Sequence, residues 1–326
     1  MTRTILSIDG GGIRGVIPAK VLQSIEETTQ ARIADLFDFV AGTSTGGILA
    51  LGLTVPAGAT SKFSAADLVQ LYEKNGQTIF SRSFWHALET IDHLAGPKYS
   101  PNGIEGVVRE FFGTAVLADA RSSLLVTAYD IERRAPFFFK SYTKPRFDAP
   151  MWAIARATSA APTYFPPARL EVGDNSYALV DGGVFANNPA MCMYVDALAY
   201  GEPFDDILLV SLGTGNLDRR IPGDKAAHWG LAGWALPLFD ILLDGVSDTV
   251  DYQLRELLPR KGPTLRYARF QTDLPDANQE MDNASPDSLK TLKDVADVLI
   301  DHNRELLAEV CTRLKTARAQ RLTPKA

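Results

Sequence analysis

The sequence predicts an α/β fold built around a largely parallel sheet, and three observations carry that reading. Short apolar runs alternate with stretches of helical periodicity, the pattern of strand–helix–strand units. Several of the clearest runs stop at glycines, where a strand of such a sheet turns into its following helix. The composition is that of a globular chain, with 326 residues, 46% hydrophobic and 22% charged, long enough to bury a core without disulfide or metal staples.

In chain order, Thr4–Ile8 reads as a buried strand and Gly10–Gly15 as a turn. A helix to about Thr29 follows, with Ile17, Val21, Leu22 and Ile25 at helical spacing on one face. Phe37–Ala41 is a second strand, Gly42–Gly47 a second tight turn, and Ile48–Leu53 the helix after it. Residues 54–122 read as irregular. Leu124–Asp130 is a strand with Phe137–Tyr142 as its neighbour, and Trp152–Thr158 is a helix that stops before Pro162. Tyr177–Val180 is a strand ending at Asp181-Gly182-Gly183. A helix runs from about Pro189 to Tyr200, proline being tolerated in a first turn. Ile207–Leu212 is a further strand, closed by Gly213-Thr214-Gly215.

The last third has a different texture. Asp273–Ser285 is polar and loop-like, and Ser285-Pro286-Asp287 reads as a helix start: capping serine, proline in the first position, acid in the first turn. Leu289, Leu292, Val295, Leu299, Leu306, Val310 and Leu314 then recur at helical spacing with one longer step. They predict one long amphipathic helix, packed on the main sheet or against a second copy. One domain over residues 1–326 accommodates these elements, with a motif-bearing core at about 4–215 and a helical region at about 216–326.

Charge and composition narrow the chemistry. Lys plus Arg is 33 and Asp plus Glu is 39, a net charge of −6, which argues against a general DNA or RNA binder. Two cysteines, Cys192 and Cys311, make neither a disulfide framework nor a metal cluster. With no H-E-x-x-H either, no metal or cofactor is expected. Met1–Thr4 runs straight into the first strand, too short for a signal peptide. Trp229–Val246 is interrupted by Pro237, Asp240, Asp244 and three glycines, so it fails as a spanning helix of about 20 residues. A cytoplasmic protein with peripheral membrane contact is the expectation.

Three strand-end motifs carry chemistry. Gly42-Thr43-Ser44-Thr45-Gly46 follows a strand and precedes a helix, the context of a G-x-S-x-G nucleophile elbow. Such a turn projects the serine from the sheet, and the helix N-terminus behind it favours developing negative charge. Asp9-Gly10-Gly11-Gly12-Ile13-Arg14-Gly15 offers unshielded backbone N–H groups. It reads as an oxyanion hole, as a dinucleotide phosphate loop (Gly10, Gly12 and Gly15 satisfy G-x-G-x-x-G), or as a tight turn. Asp35 and Asp38 precede or begin the second strand, whereas a dinucleotide site wants an acid at its end. Asp181-Gly182-Gly183 places a carboxylate at a strand end, as a catalytic group or as a turn aspartate bonding its own backbone. Spacing alone does not choose between Asp9 and Asp181.

The three motifs together, DGGGIRG at 9–15, GTSTGG at 42–47 and DGG at 181–183 preceded by TSAAPTYFPP at 158–167, resemble the patatin-like phospholipase family. The resemblance covers about residues 4–215, in the family's order. It implies a three-layer α/β/α fold and a serine–aspartate dyad without a histidine base. By it, Ser44 is the nucleophile, Asp181 the general base, and the N–H groups of Gly10, Gly11 and Gly12 the oxyanion hole. Gly42, Gly46, Gly182 and Gly183 shape the turns, Asp9 holds the glycine loop, and Arg14 is a candidate contact for a phospholipid phosphate. The implied activity is phospholipase A-type acyl hydrolysis through an acyl-enzyme, on membrane phospholipid or another acyl lipid, in a monomer or an oligomer.

Some short bacterial members are membrane-degrading antiphage effectors switched on by cyclic nucleotides, and the compact layout resembles theirs. Two other classes stand beside the hydrolase. One is a non-enzymatic interaction module on the same fold. The other is a phosphate- or dinucleotide-binding enzyme using Gly10–Gly15, with Ser211-Leu-Gly-Thr-Gly215 as a second phosphate loop.

Histidines give an independent check. There are four, His86, His93, His228 and His302, and a Ser–acid–His order would need His228 or His302. Neither lies in a turn motif. Two apolar stretches, Phe80–Tyr99 (with Phe80, Phe84, Trp85 and Leu88) and Trp229–Leu243 (with Trp229, Leu231, Trp234, Leu236, Leu238 and Phe239), read as core, as lipid contact or as a movable cover.

Overall fold

The structure is a computed structural model, and it describes residues 2–79, 98–144, 147–200, 206–217, 221–275 and 280–323. Its centre is an eight-stranded mixed sheet. The strands are β1 (Thr2–Ile8), β2 (Phe39–Gly42), β5 (Ser123–Asp130), β6 (Ala135–Lys140), β7 (Ala168–Val172), β8 (Asn175–Asp181), β9 (Asp206–Leu212) and β10 (Tyr267–Phe270). A separate two-stranded ribbon joins β3 (Pro56–Ala57) and β4 (Thr60–Ser61).

The order across the sheet is β10-β9-β1-β2-β5-β8-β7, with β6 also on β5. The pairs from β10 through β5 are parallel, and β6, β7 and β8 add antiparallel pairs. In the parallel part Ile8 lies opposite both Gly42 and Leu212. The loops after β1, β2 and β9, which hold all the glycine motifs but one, therefore gather at one end of the sheet, where α/β proteins build their sites.

Alternation along each strand explains the layers. In β1, Leu6 and Ile8 enter one core while Ile5 enters the other, and in β9 Leu208 and Val210 alternate with Ile207 and Leu209 in the same way. The larger core takes α1 (Val16–Thr29), α3 (Thr45–Thr54), α4 (Ala65–Ile79), α5 (Pro101–Phe112) and α6 (Met151–Thr158). The smaller takes α8 (Ala190–Ala199) and the end of α10 (Leu231–Leu257). Two single turns, α2 (Ile33–Leu36) and α7 (Gly183–Ala186), lead into β2 and follow β8, and a third, α9 (Gly223–Ala226), precedes α10.

Several expectations need correcting. The stretch read as irregular contains α4 and α5, the latter capped by Ser100, whose side chain accepts from the Asn102 N–H. The C-terminal helix is two helices, α11 (Pro286–His302) and α12 (Arg304–Leu322), and Ser285 caps the first as expected by accepting from Ser288 N–H. The break falls at Asn303, whose side chain bonds back to the Leu299 carbonyl at 2.9 Å, inside the one long step of the apolar stripe. Both helices pack against α1. The C-terminal third also supplies β10, a sheet strand. None of the described helices is long and apolar enough to cross a membrane.

Candidate active site

Ser44 occupies the turn between β2 and α3 with φ 55° and ψ −125°. A non-glycine residue rarely adopts this conformation, and such strain persists where the surroundings enforce it. They do so here through close backbone contact. A Cβ on Gly42 would strike the Gly46 carbonyl, and one on Gly46 would lie 2.6 Å from the Asp9 carbonyl oxygen. Hydrogen bonds pin both sides of the turn. Ser44 N–H donates to Thr158 Oγ1 at 2.9 Å, and Thr43 Oγ1 donates to the Ala186 carbonyl at 2.6 Å.

Asp181 ends β8 and is 4% exposed. Its Oδ1 accepts the Gly183 N–H at 2.8 Å, and it shares one cavity wall with Ser44. Burial dominates its titration. The acid is pushed up to about 7, with Ser44 and the Gly183 N–H opposing the shift. Gly182 fits closely over Thr127, the β5 residue between the partners of the two strand ends.

The glycine loop presents two donors, not three. Gly10 N–H is already bonded to the Asn187 carbonyl at 3.1 Å, so it drops out of the expected oxyanion hole. The Gly10 carbonyl accepts from Thr214 Oγ1 at 2.7 Å, which fixes the peptide from its other side. Gly11 and Gly12 line the cavity beside Ser44, and among the described residues their N–H groups have no acceptor. Gly12 has φ 59°, and a Cβ there would collide with the Met281 carbonyl.

Arg14 is buried and braces the glycine loop. It is 4% exposed, its Nε donates to the Gly11 carbonyl at 3.2 Å, and it is not among the cavity-lining residues. Burial lowers its pKa, against the pull of Asp244 and Asp240 on α10. Asp9 pairs with Arg269 of β10.

The cavity holds about 680 Å³ including its open mouth. Gly11, Gly12, Ser44 and Asp181 lie on its wall, and Ile48, Ile104, Phe165, Leu243 and Met281 make much of the rest apolar. His228 and His302 are both exposed and line none of it. His86, His93 and nearly all of the Phe80–Tyr99 stretch lie outside the described residues.

Sequence reading missed Thr158, Asn187, Thr214 and Met281, whereas Leu243 ends the Trp229–Leu243 stretch read as core, lipid contact or cover. Thr158 and Thr214 sat inside quoted motifs, but nothing in their spacing announces a hydrogen bond to a partner a hundred residues or more away. The two glycine loops offered as separate phosphate cradles are bonded to each other through Thr214 and Gly10.

The family model for patatin-like phospholipases matches residues 6–193. Patatin-like protein 2 of Oryza sativa subsp. indica is 33% identical, over 92% of this chain and 84% of its own length. The chain belongs to the patatin-like phospholipase family. Family membership places it among lipid acyl hydrolases. A Solanum tuberosum relative called "Probable inactive patatin-3-Kuras 1" is equally similar, at 33% identity over 91% of this chain and 86% of its own. Among solved structures, VipD from Legionella pneumophila aligns over 91% of this chain and 67% of its own at 14% identity, with a TM-score of 0.38. Catalytic competence in this patatin-like chain is therefore a matter for its own residues.

Proposed function

We propose that the chain hydrolyses fatty-acyl esters of phospholipids with Ser44 as nucleophile and Asp181 as the only base. The observation that carries this reading is a serine held at φ 55° on the same cavity wall as a buried carboxyl group whose acid is pushed up to about 7. An ordinary aspartate is too weak a base for serine at neutral pH. One that is half protonated near pH 7 can take a proton and return it.

Ser44 Oγ attacks the ester carbonyl while Asp181 removes its proton. The oxyanion of the tetrahedral intermediate accepts from the Gly11 and Gly12 N–H groups, aided by the N-terminus of α3. Collapse expels the lysolipid alcohol, which takes the proton from Asp181 and leaves the acyl chain on Ser44. Water, deprotonated by Asp181, then attacks the acyl-enzyme, and Asp181 returns that proton to Ser44 Oγ as its bond to the acyl carbon breaks and the fatty acid leaves.

The apolar cavity wall suits an acyl chain. On α10, Leu238, Ile241 and Leu242 are 47%, 43% and 46% exposed beside Leu243, which lines the cavity. We assign this face to peripheral contact with the lipid surface. A fluorophosphonate probe tests the reading: it should label Ser44 in the wild type and nothing in Ser44→Ala. Labelling of another residue would refute the assignment.

A further inference from the structure

Asp9 is the last residue before the glycine loop, and its carboxylate is shut away from water, its side chain 2% exposed. The cation that answers it comes from the edge of the sheet. Arg269 of β10 donates from Nη2 to Asp9 Oδ2 at 2.6 Å and from Nη1 to Ser211 Oγ at 2.7 Å, with its own side chain 5% exposed. In the register, Arg269 lies opposite Ser211 of β9, and β9 stands between β10 and β1. The guanidinium thus crosses a whole strand to reach the end of β1. Two residues on, Gln271 Oε1 accepts the Gly215 N–H at 2.8 Å, behind the Thr214 that holds Gly10. The guanidinium on β10 holds Asp9 by charge, and Gln271, just past β10, supports the loop after β9 that holds Gly10.

The charge matters more than the grip. A buried carboxylate one residue from the glycine loop has the wrong sign for a site that stabilises developing negative charge. Asp9 Oδ1 has no hydrogen-bond partner, so Arg269 is the group that offsets this charge. We infer that Arg269 is a positioning residue for ester hydrolysis: from a strand beyond the stretch matched by the family model, it neutralises Asp9 and holds the Gly11 and Gly12 N–H groups toward the reacting oxygen. The inference rests on the Ser44–Asp181 reading. Arg269 itself is not a cavity-lining residue.

Breaking a buried ion pair also destabilises a protein, so turnover has to be separated from folding. The experiment measures kcat and KM on a short-chain nitrophenyl ester for wild type, Arg269→Gln and the double variant Asp9→Asn/Arg269→Gln. Each rate is divided by the amount of Ser44 that a fluorophosphonate titrates. Arg269→Gln should lose on the order of 10²-fold in kcat per titrated site, as expected for donors displaced by about 1 Å, with KM little changed. Removing the stranded charge in the double variant should recover about tenfold of that loss. Unchanged kcat per titrated site in Arg269→Gln, or no recovery in the double variant, would overturn the inference. If Arg269→Gln does not fold, the double variant decides alone: about tenfold below wild type supports the role, and equality with wild type overturns it. A wild type that fails to label at Ser44 would instead refute the dyad reading, before any variant is compared.

Discussion

Gly42 and Asp181 end two strands that meet along one edge of β5, Gly42 opposite Val126 and Asp181 opposite Ala128. β6 occupies the other edge of β5 through both positions. β2 runs parallel to β5 and β8 antiparallel, so their C-terminal ends face each other across Thr127. Ser44 lies two residues past one end and Asp181 is the other end itself. Sheet topology alone brings a hydroxyl and a carboxylate together that are far apart in sequence.

The elbow tolerates no side chain at Gly46, because the obstructing atoms are the Ile8 and Asp9 carbonyls of the central sheet. Gly46→Ala should therefore abolish turnover, with a large fall in melting temperature. Gly106 of α5 is exposed, and a Cβ there meets nothing within 4 Å. Gly106→Ala should raise stability by up to about 1 kcal/mol through helix propensity. Thermal melts and ester turnover of both variants check the pair. Wild-type turnover in Gly46→Ala would remove the close packing of elbow on β1 from the mechanism.

As a base, Asp181 works when ionised. With its acid near pH 7, kcat/KM should climb through about pH 7 and level off above it. Asp181→Asn should be nearly inactive at every pH, while His228→Ala and His302→Ala keep wild-type rates and the same limb. A histidine variant as inactive as Ser44→Ala would move the protein to another class of hydrolase.

The same shift links stability to pH. Between the ordinary aspartate value of 3.8 and about 7, the folded state holds a proton on Asp181 that the unfolded state has released. Stability attributable to this group is therefore full below pH 3.8 and falls as pH rises through about 7. Asp181→Asn, which never ionises, should resist urea better than wild type at pH 8, the gap closing near pH 4. A variant less stable than wild type at pH 8 would contradict the burial argument.

The glycine loop separates backbone from side-chain roles. Gly11→Pro deletes one donor and distorts the turn, and should cost at least about 10²–10³-fold in kcat. Arg14 braces the Gly11 carbonyl and does not line the cavity. Arg14→Ala should then lower turnover of a phospholipid and of a neutral short-chain ester by the same factor. A loss confined to the phospholipid would return Arg14 to the head group.

How legible the site was depends on the range of the interactions involved. Strand–turn–helix patterns are local, so the elbow at Ser44, the cap at Ser285 and the strand before Asp181 could be read directly. Gly10 shows the limit. Its type and spacing qualify it as a donor, and only a carbonyl 177 positions away, at Asn187, takes its N–H out of use. β10 was invisible for a different reason: four residues, Tyr-Ala-Arg-Phe, with a charge in the middle, lack the apolar run of a buried strand. That charge faces Asp9, so the pattern fails where the strand does its positioning. The helices α4 and α5 were legible and were passed over: Ile104, Val107, Val108 and Phe112 recur at helical spacing along α5.

The central claim is that Ser44 opens lipid esters, and mass spectrometry of a phospholipid mixture incubated with wild type beside Ser44→Ala tests it most directly. Wild type should release free fatty acid and lysophospholipid, and the variant, folded by its melting curve, should release neither, since loss of a serine nucleophile can cost on the order of 10⁶ in kcat. Equal release by the two proteins, or none by a wild type that hydrolyses no ester of any head group, would contradict it.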